Sequence, residues 1–211
     1  MTIERVYKDL CNAINDNCSF IKLNKLKELI EQDIRENTCY KTTKKTRVNA
    51  IKRVASKDDV RPILTGYGIY NDYKVVTDSY HMIIIKQDDM PLKLVTNDAE
   101  TIKKLGEENC IIGVYPNIEH IIDFNIDNNN EYEEFNLDLD NMQLFYKLNK
   151  SKLRETPYHI GKLQCNVSYL KNVIDVLGND SKIYLPKNSD VKPIYIKNKE
   201  EIGLVLPMKT Y

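Results

Sequence analysis

The 211-residue chain has no tryptophan, seven glycines, three histidines and no surplus of either charge. Each shortage excludes something. No Gly-rich loop of phosphate-cradling form occurs, and the pair Gly66 and Gly68 falls within an expected strand, with no third glycine opening a helix. The histidines His81, His120 and His159 are scattered, and Cys11, Cys18, Cys39, Cys110 and Cys165 are odd in number and never spaced Cys-x-x-Cys. Neither a structural zinc site nor a disulfide framework is therefore expected, and the cysteine usage fits a reducing cytosol, so a cytoplasmic location. There is no Gly-x-Ser-x-Gly elbow and no His-Glu-x-x-His pair. Asp78 and His81 are near in sequence but read as polar turn residues, so the chain is expected to bind and not to catalyse, without metal or cofactor. No apolar run approaches bilayer length, so no membrane partner is expected. Thirty-one basic residues balance thirty-one acidic ones, so any attraction to nucleic acid must come from local asymmetry.

That asymmetry exists. Lys41, Lys44, Lys45, Arg47, Lys52, Arg53 and Lys57 follow one another with no acid between them, while Asp123 to Asp140 holds seven acids and no base. The basic tract runs into a helix expected over 46–57, where Val48, Ile51 and Val54 share a face and Arg47, Lys52 and Arg53 are left toward solvent. They suit duplex DNA phosphates, or simply form a solvated face. A further helix on Leu139, Met142, Phe145 and Tyr146 ends in Lys147, Lys150, Lys152 and Arg154, the second candidate for backbone contact. The acidic stretch 123–134 reads as a solvated linker.

Hydrophobic periodicity gives an α+β chain. Two amphipathic helices are expected in an N-terminal arm, residues 1–45. Then come two units, 46–122 and 123–211, each a helix followed by an antiparallel meander. In the first unit the extended segments are Ile63 to Tyr70, Tyr73 to Thr77 and Tyr80 to Lys86, with turns at Asn71-Asp72 and Asp78-Ser79. In the second, Val167, Leu170, Val173, Ile174 and Leu177 mark a helix closed by Gly178, and strands follow at 183–185, 194–196 and 203–206.

Five phrases carry a family resemblance: Arg61-Pro-Ile-Leu-Thr-Gly66, Val75-Val-Thr-Asp-Ser-Tyr-His-Met82, Tyr115-Pro-Asn-Ile-Glu119, Cys165-Asn-Val-Ser-Tyr-Leu170 and Leu204-Val-Leu-Pro-Met-Lys209. In this order they resemble bacterial sliding clamps, the beta subunit of DNA polymerase III, over residues 46 to 211. The resemblance implies a clamp-like fold, helices along an inner wall facing duplex DNA, and a ring of six clamp-type domains. This chain is too short to supply three of those, so it resembles a shortened relative of the kind a phage or mobile element carries. It also implies a peptide groove for short motifs of replication proteins, with Thr77, Asp78, Ser79, Tyr80, His81 and Met82 on one wall. Val205, Leu206, Pro207 and Met208 form the other. Met82 and Met208 either shape an adaptable floor or belong to the core. Ser79, Tyr80 and His81 stand where the family has Gly, His and Arg.

Two other functions are open at this stage: a clamp or DNA mimic that uses its acidic tract to occupy a host replication or defence protein, and a helix-turn-helix regulator using the N-terminal pair. Open sheet edges lead to the expectation of a homo-oligomer.

Overall fold

The computed structural model describes residues 44–152 and 156–208. The N-terminal helical pair, and with it the helix-turn-helix reading, lies outside the described residues, as does Arg154. The first helix, α1 (Lys44–Val54), is followed by β1 (Gly68–Tyr70), β2 (Tyr73–Thr77) and β3 (His81–Ile85). The C-terminal part repeats this order with α4 (Val167–Leu177), β9 (Lys182–Pro186), β10 (Ile194–Asn198) and β11 (Glu201–Val205). Between them lie β4 (Leu94–Thr96), α2 (Ala99–Leu105), β5 (Cys110–Ile112), β6 (Tyr132–Phe135), α3 (Leu139–Leu148), β7 (Tyr158–Ile160) and β8 (Leu163–Cys165).

Both meanders enter one seven-stranded sheet, ordered β1-β2-β3-β11-β10-β9-β6, in which every neighbouring pair is antiparallel. They meet at β3 and β11, where Ile83 lies opposite Gly203. A Cβ at Gly203 would sit 2.1 Å from Val173 Cγ1, so glycine lets α4 press onto the sheet. Because side chains alternate along a strand, each strand supplies two cores. Val76, Ile83, Ile85, Ile194, Ile196 and Val205 face the helices, against Ile51 and Val54 of α1 and Leu170, Val173 and Ile174 of α4. Val75, Met82, Ile84, Tyr195, Ile202 and Leu204 face the other way, under Ile118, Ile126 and Tyr132. Each fully buried aliphatic side chain contributes about 1.5–3 kcal/mol.

The helices begin where side-chain acceptors replace missing backbone ones. Asp138 accepts from the Asn141 N–H at the start of α3, and Asn166 from the Ser168 N–H at the start of α4, each at 2.9 Å. Past α4, Gly178 takes φ +102°, the region that favours glycine.

Three local expectations change. The extended segment over 63–70 is shorter: Pro62–Thr65 forms a 3-10 turn, with proline in the position that needs no N–H donor. The close glycines then have a packing cause, since a Cβ at Gly68 would lie 2.4 Å from Tyr115 Cγ. The stretch read as a solvated linker is structural instead: Ile126 is 1% exposed, Tyr132 8%, and β6 closes one edge of the sheet. Three of its five acids are paired, Asp127 with Lys197, Glu131 with Lys192 and Glu134 with Lys182. Two small pairings are additional, the parallel β4–β5 and the β7–β8 hairpin.

Candidate peptide groove and helix face

The turn between β2 and β3 is held by its own side chains. Asp78 Oδ1 accepts from the backbone N–H groups of Tyr80 (2.8 Å) and His81 (2.9 Å), and lies 2.8 Å from His81 Nδ1. Thr77 Oγ1 accepts from the Ser79 N–H at 3.0 Å and donates to the His81 carbonyl at 2.8 Å. Burial raises the Asp78 carboxyl, but the His81 and Tyr80 hydrogen bonds outweigh it, and its pKa ends below the ordinary value. Ser79 at the tip has φ +82°, a conformation that costs an L-residue strain and suits the glycine of the resembled family. Arg61 donates to Ser79 Oγ at 3.3 Å.

His81 turns inward, its side chain 1% exposed, and its Nε2 has no hydrogen-bond partner. Its ring stacks on Tyr169 of α4 at 4.4 Å between centroids, and Tyr80 lies parallel to the same ring at 6.0 Å. This aromatic stack makes a rim, with Tyr80 itself 55% exposed. The end of β11 runs beside it, where the Leu206 N–H donates to the Tyr80 carbonyl at 2.9 Å.

Between turn and strand end lies an apolar cavity of about 210 Å³. Thr77, Ser79, Tyr80, His81 and Met82 line it from the turn, and Leu204 and Leu206 from β11 and its extension. Of the other residues assigned to this site, Asp78 acts behind the turn and Val205 is buried on the helix side. Pro207 and Met208 are half-buried beyond the lining, and the Met208 N–H donates to the Gln164 carbonyl at 2.7 Å. Met82 therefore forms floor and core together, whereas Met208 does not reach the cavity.

Sequence reasoning missed the third wall, Leu64 with Pro116, Asn117, Ile118 and Ile121. Tyr115 anchors that segment: its buried hydroxyl accepts from the Thr77 N–H at 3.1 Å, and burial pushes its pKa well above the usual phenol range. A signal was available. All five phrases that carry the family resemblance converge on this one place, through Leu64, the turn, Pro116 to Ile118, Tyr169 and Leu206.

The opposite face carries α1 and α4 side by side, but two of its expected free cations are tied. Arg47 donates from Nη2 to both carboxylate oxygens of Glu201, at 2.8 and 3.0 Å, and from Nε to Gln87 at 3.1 Å. Arg53 reaches Asp175 at 2.7 Å and Asn172 at 2.8 Å, which joins α1 to α4. Lys171 also pairs with Asp175 at 2.7 Å. Burial pushes the Asp175 carboxyl up to about 7 and Lys171 down to about 8, with Arg53 and Lys147 adding to the Lys171 effect. The expectation that Arg47 and Arg53 stand free in solvent is thus corrected, because acids on the opposite elements claim them. Lys52, Lys147, Lys150 and Lys152 are exposed, and Lys44 and Lys45 begin α1. Among the described residues no three potential ligands form a metal cluster, and no helix is long and apolar enough to cross a membrane.

The architecture is a helix pair backed by an antiparallel sheet made of two like meanders. No protein-family model matches the chain, and no curated protein matches it in sequence. Solved structures do match. The Helicobacter pylori beta clamp bound to a DNA ligase peptide is similar over 78% of this chain and 63% of its own, with 14% identity and a TM-score of 0.50. The beta subunit of Streptococcus pyogenes DNA polymerase covers 79% and 64% at 15% identity and TM-score 0.48. The DNA polymerase III beta chain of Streptococcus pneumoniae covers 79% and 62% at 16% identity and TM-score 0.49. The chain has the α+β fold of the bacterial sliding clamps, and spans 62–64% of the length of these three.

Proposed function

We propose that this chain is a non-enzymatic, clamp-like binding protein that captures a short apolar segment of a replication protein in the groove beside the β2–β3 turn. The observation that carries the reading is the cavity itself, in which the turn of one meander and the end of the other converge on apolar side chains. The Helicobacter clamp bound to a DNA ligase peptide supports the choice of a peptide as ligand. The ligand class also fits the lining, where Met82 and branched aliphatic groups adapt to several side chains.

The test is calorimetric titration of the chain with that DNA ligase peptide, against Leu206→Asp. Leu206 is 40% exposed, so the substitution leaves the core intact. A loss of tenfold or more in affinity is expected, about 1.4 kcal/mol. Equal binding by the variant, or none by either protein, contradicts the proposal.

A second activity rests on the helix face. Lys52, Lys147, Lys150 and Lys152 contact duplex DNA through phosphates, without reading sequence, and the ties of Arg47 and Arg53 keep the contribution small. A gel shift should then weaken as salt rises and weaken further in Lys52→Glu. Binding indifferent to salt would rule this out.

A further inference from the structure

We infer that the groove selects its ligand by apolar shape and is indifferent to the ligand's charge, which rests on the peptide-binding reading above. No Asp, Glu, Lys or Arg lines the cavity, and its ionisable lining side chains are Tyr80 and His81. Several polar atoms of the lining are engaged within the protein, and the buried His81 Nε2, which has no partner, adds a polar but not a formally charged group. Thr77 Oγ1 both donates and accepts inside the turn, Asn117 Oδ1 accepts from the Glu119 N–H at 2.9 Å, and Ser79 Oγ accepts from Arg61. Arg61, the cation that touches this lining, lies 3.8 Å from Asp58, so an acid already faces it. Asp78 is in turn met by two backbone donors and the His81 ring.

His81 is turned inward, 2.8 Å from Asp78 and stacked on Tyr169, so any charge on the ring is opposed at once by the carboxylate. What faces a ligand is Leu64, Met82, Ile118, Ile121, Leu204 and Leu206, with Tyr80 at the rim. A dry apolar cavity of about 150 Å³ already admits benzene, so about 210 Å³ has room for one aromatic side chain or two branched aliphatic ones. The ligand is therefore an extended segment bearing neighbouring apolar side chains, with flanks that the groove does not discriminate.

The experiment uses three capped hexapeptides with the same two Leu, their other four positions all Ala, all Asp or all Lys. Each is titrated into the full chain carrying carbon-13 methyl methionine, with the Met82 methyl resonance, assigned through Met82→Leu, as the readout. All three should shift that resonance, with dissociation constants within about threefold of one another and changing less than about twofold between about 50 and about 500 mM salt. A preference of about tenfold for the Asp or the Lys peptide, or a salt effect of that size, overturns charge indifference and leaves peptide binding standing. No shift with any peptide at millimolar concentration overturns both.

Discussion

Replacing Asp78 by alanine removes the keystone of the turn that builds the groove's first wall. Three hydrogen bonds end on its Oδ1, from the Tyr80 N–H, the His81 N–H and the His81 ring. The two backbone donors lie near an exposed residue, so water recovers part of their loss, and about 1 kcal/mol each is reasonable. The ring bond is charge-assisted and its donor is 1% exposed, which makes it worth about 1.5 kcal/mol or more, for about 3–4 kcal/mol in all. With a urea slope of about 2 kcal/mol/M, the midpoint should fall by about 1.5–2 M at neutral pH with the slope unchanged. The pH dependence gives the sign. The folded-state pKa of Asp78 lies below its unfolded value, so its contribution is complete above the unfolded pKa, about 3.9, and is lost as pH falls through the folded one. The difference between wild type and Asp78→Asn should thus be flat from pH 7 to about pH 5 and shrink below about pH 4. A variant within about 0.5 kcal/mol of wild type at pH 7, or a gap unchanged down to about pH 2, refutes the role given to this carboxylate.

Three further substitutions probe separate parts of the molecule. Ser79→Gly relieves the left-handed backbone at the tip of the turn, and calorimetric melting should show a gain of about 1 kcal/mol; a lower melting temperature would contradict the strain. Gly68→Ala places a methyl where Tyr115 sits, at 2.4 Å, and should cost about 1–3 kcal/mol in the same assay, whereas a neutral result means the ring moves freely. Arg53→Ala leaves the buried Asp175 with Lys171 alone; because Arg53 is itself 40% exposed, the expected loss by urea titration is about 1–2 kcal/mol, below the usual cost of breaking a buried pair, and no loss would show that Lys171 suffices.

Much of the fold is written locally. The β-branched and aromatic runs expected as strands at Tyr73–Thr77 and Tyr80–Lys86 and the apolar face of Val167–Leu177 survive in the structure with ends moved by a residue or less. Local signals failed where a few residues have two uses. Pro62-Ile-Leu-Thr65 has strand-forming composition, yet proline at its start favours a tight helical turn. Glu131-Tyr-Glu-Glu-Phe135 looks like part of an acidic linker, because the lysines that meet Glu134 and Glu131, Lys182 and Lys192, lie about fifty to sixty residues away and no local pattern brings them there. The Gly161-Lys162 turn, with Gly161 at φ +59°, is a hairpin signal that short flanking strands conceal.

The site was legible in part for the same reason. Its turn and strand end were identified from the family resemblance, but the Tyr115–Ile121 wall has no periodicity and is placed by Tyr115 packing on Gly68 and bonding to Thr77. The cationic helix face was overread, since sequence shows where Arg47 and Arg53 are but not that Glu201 and Asp175 will neutralise them.

The most direct test is a crystal structure of the full chain with the tightest binder from an unbiased peptide library. The peptide should lie with its apolar side chains between Tyr80, Ile118 and Leu206 and above Met82. A binder seated anywhere else, with this cavity unfilled, contradicts the central claim.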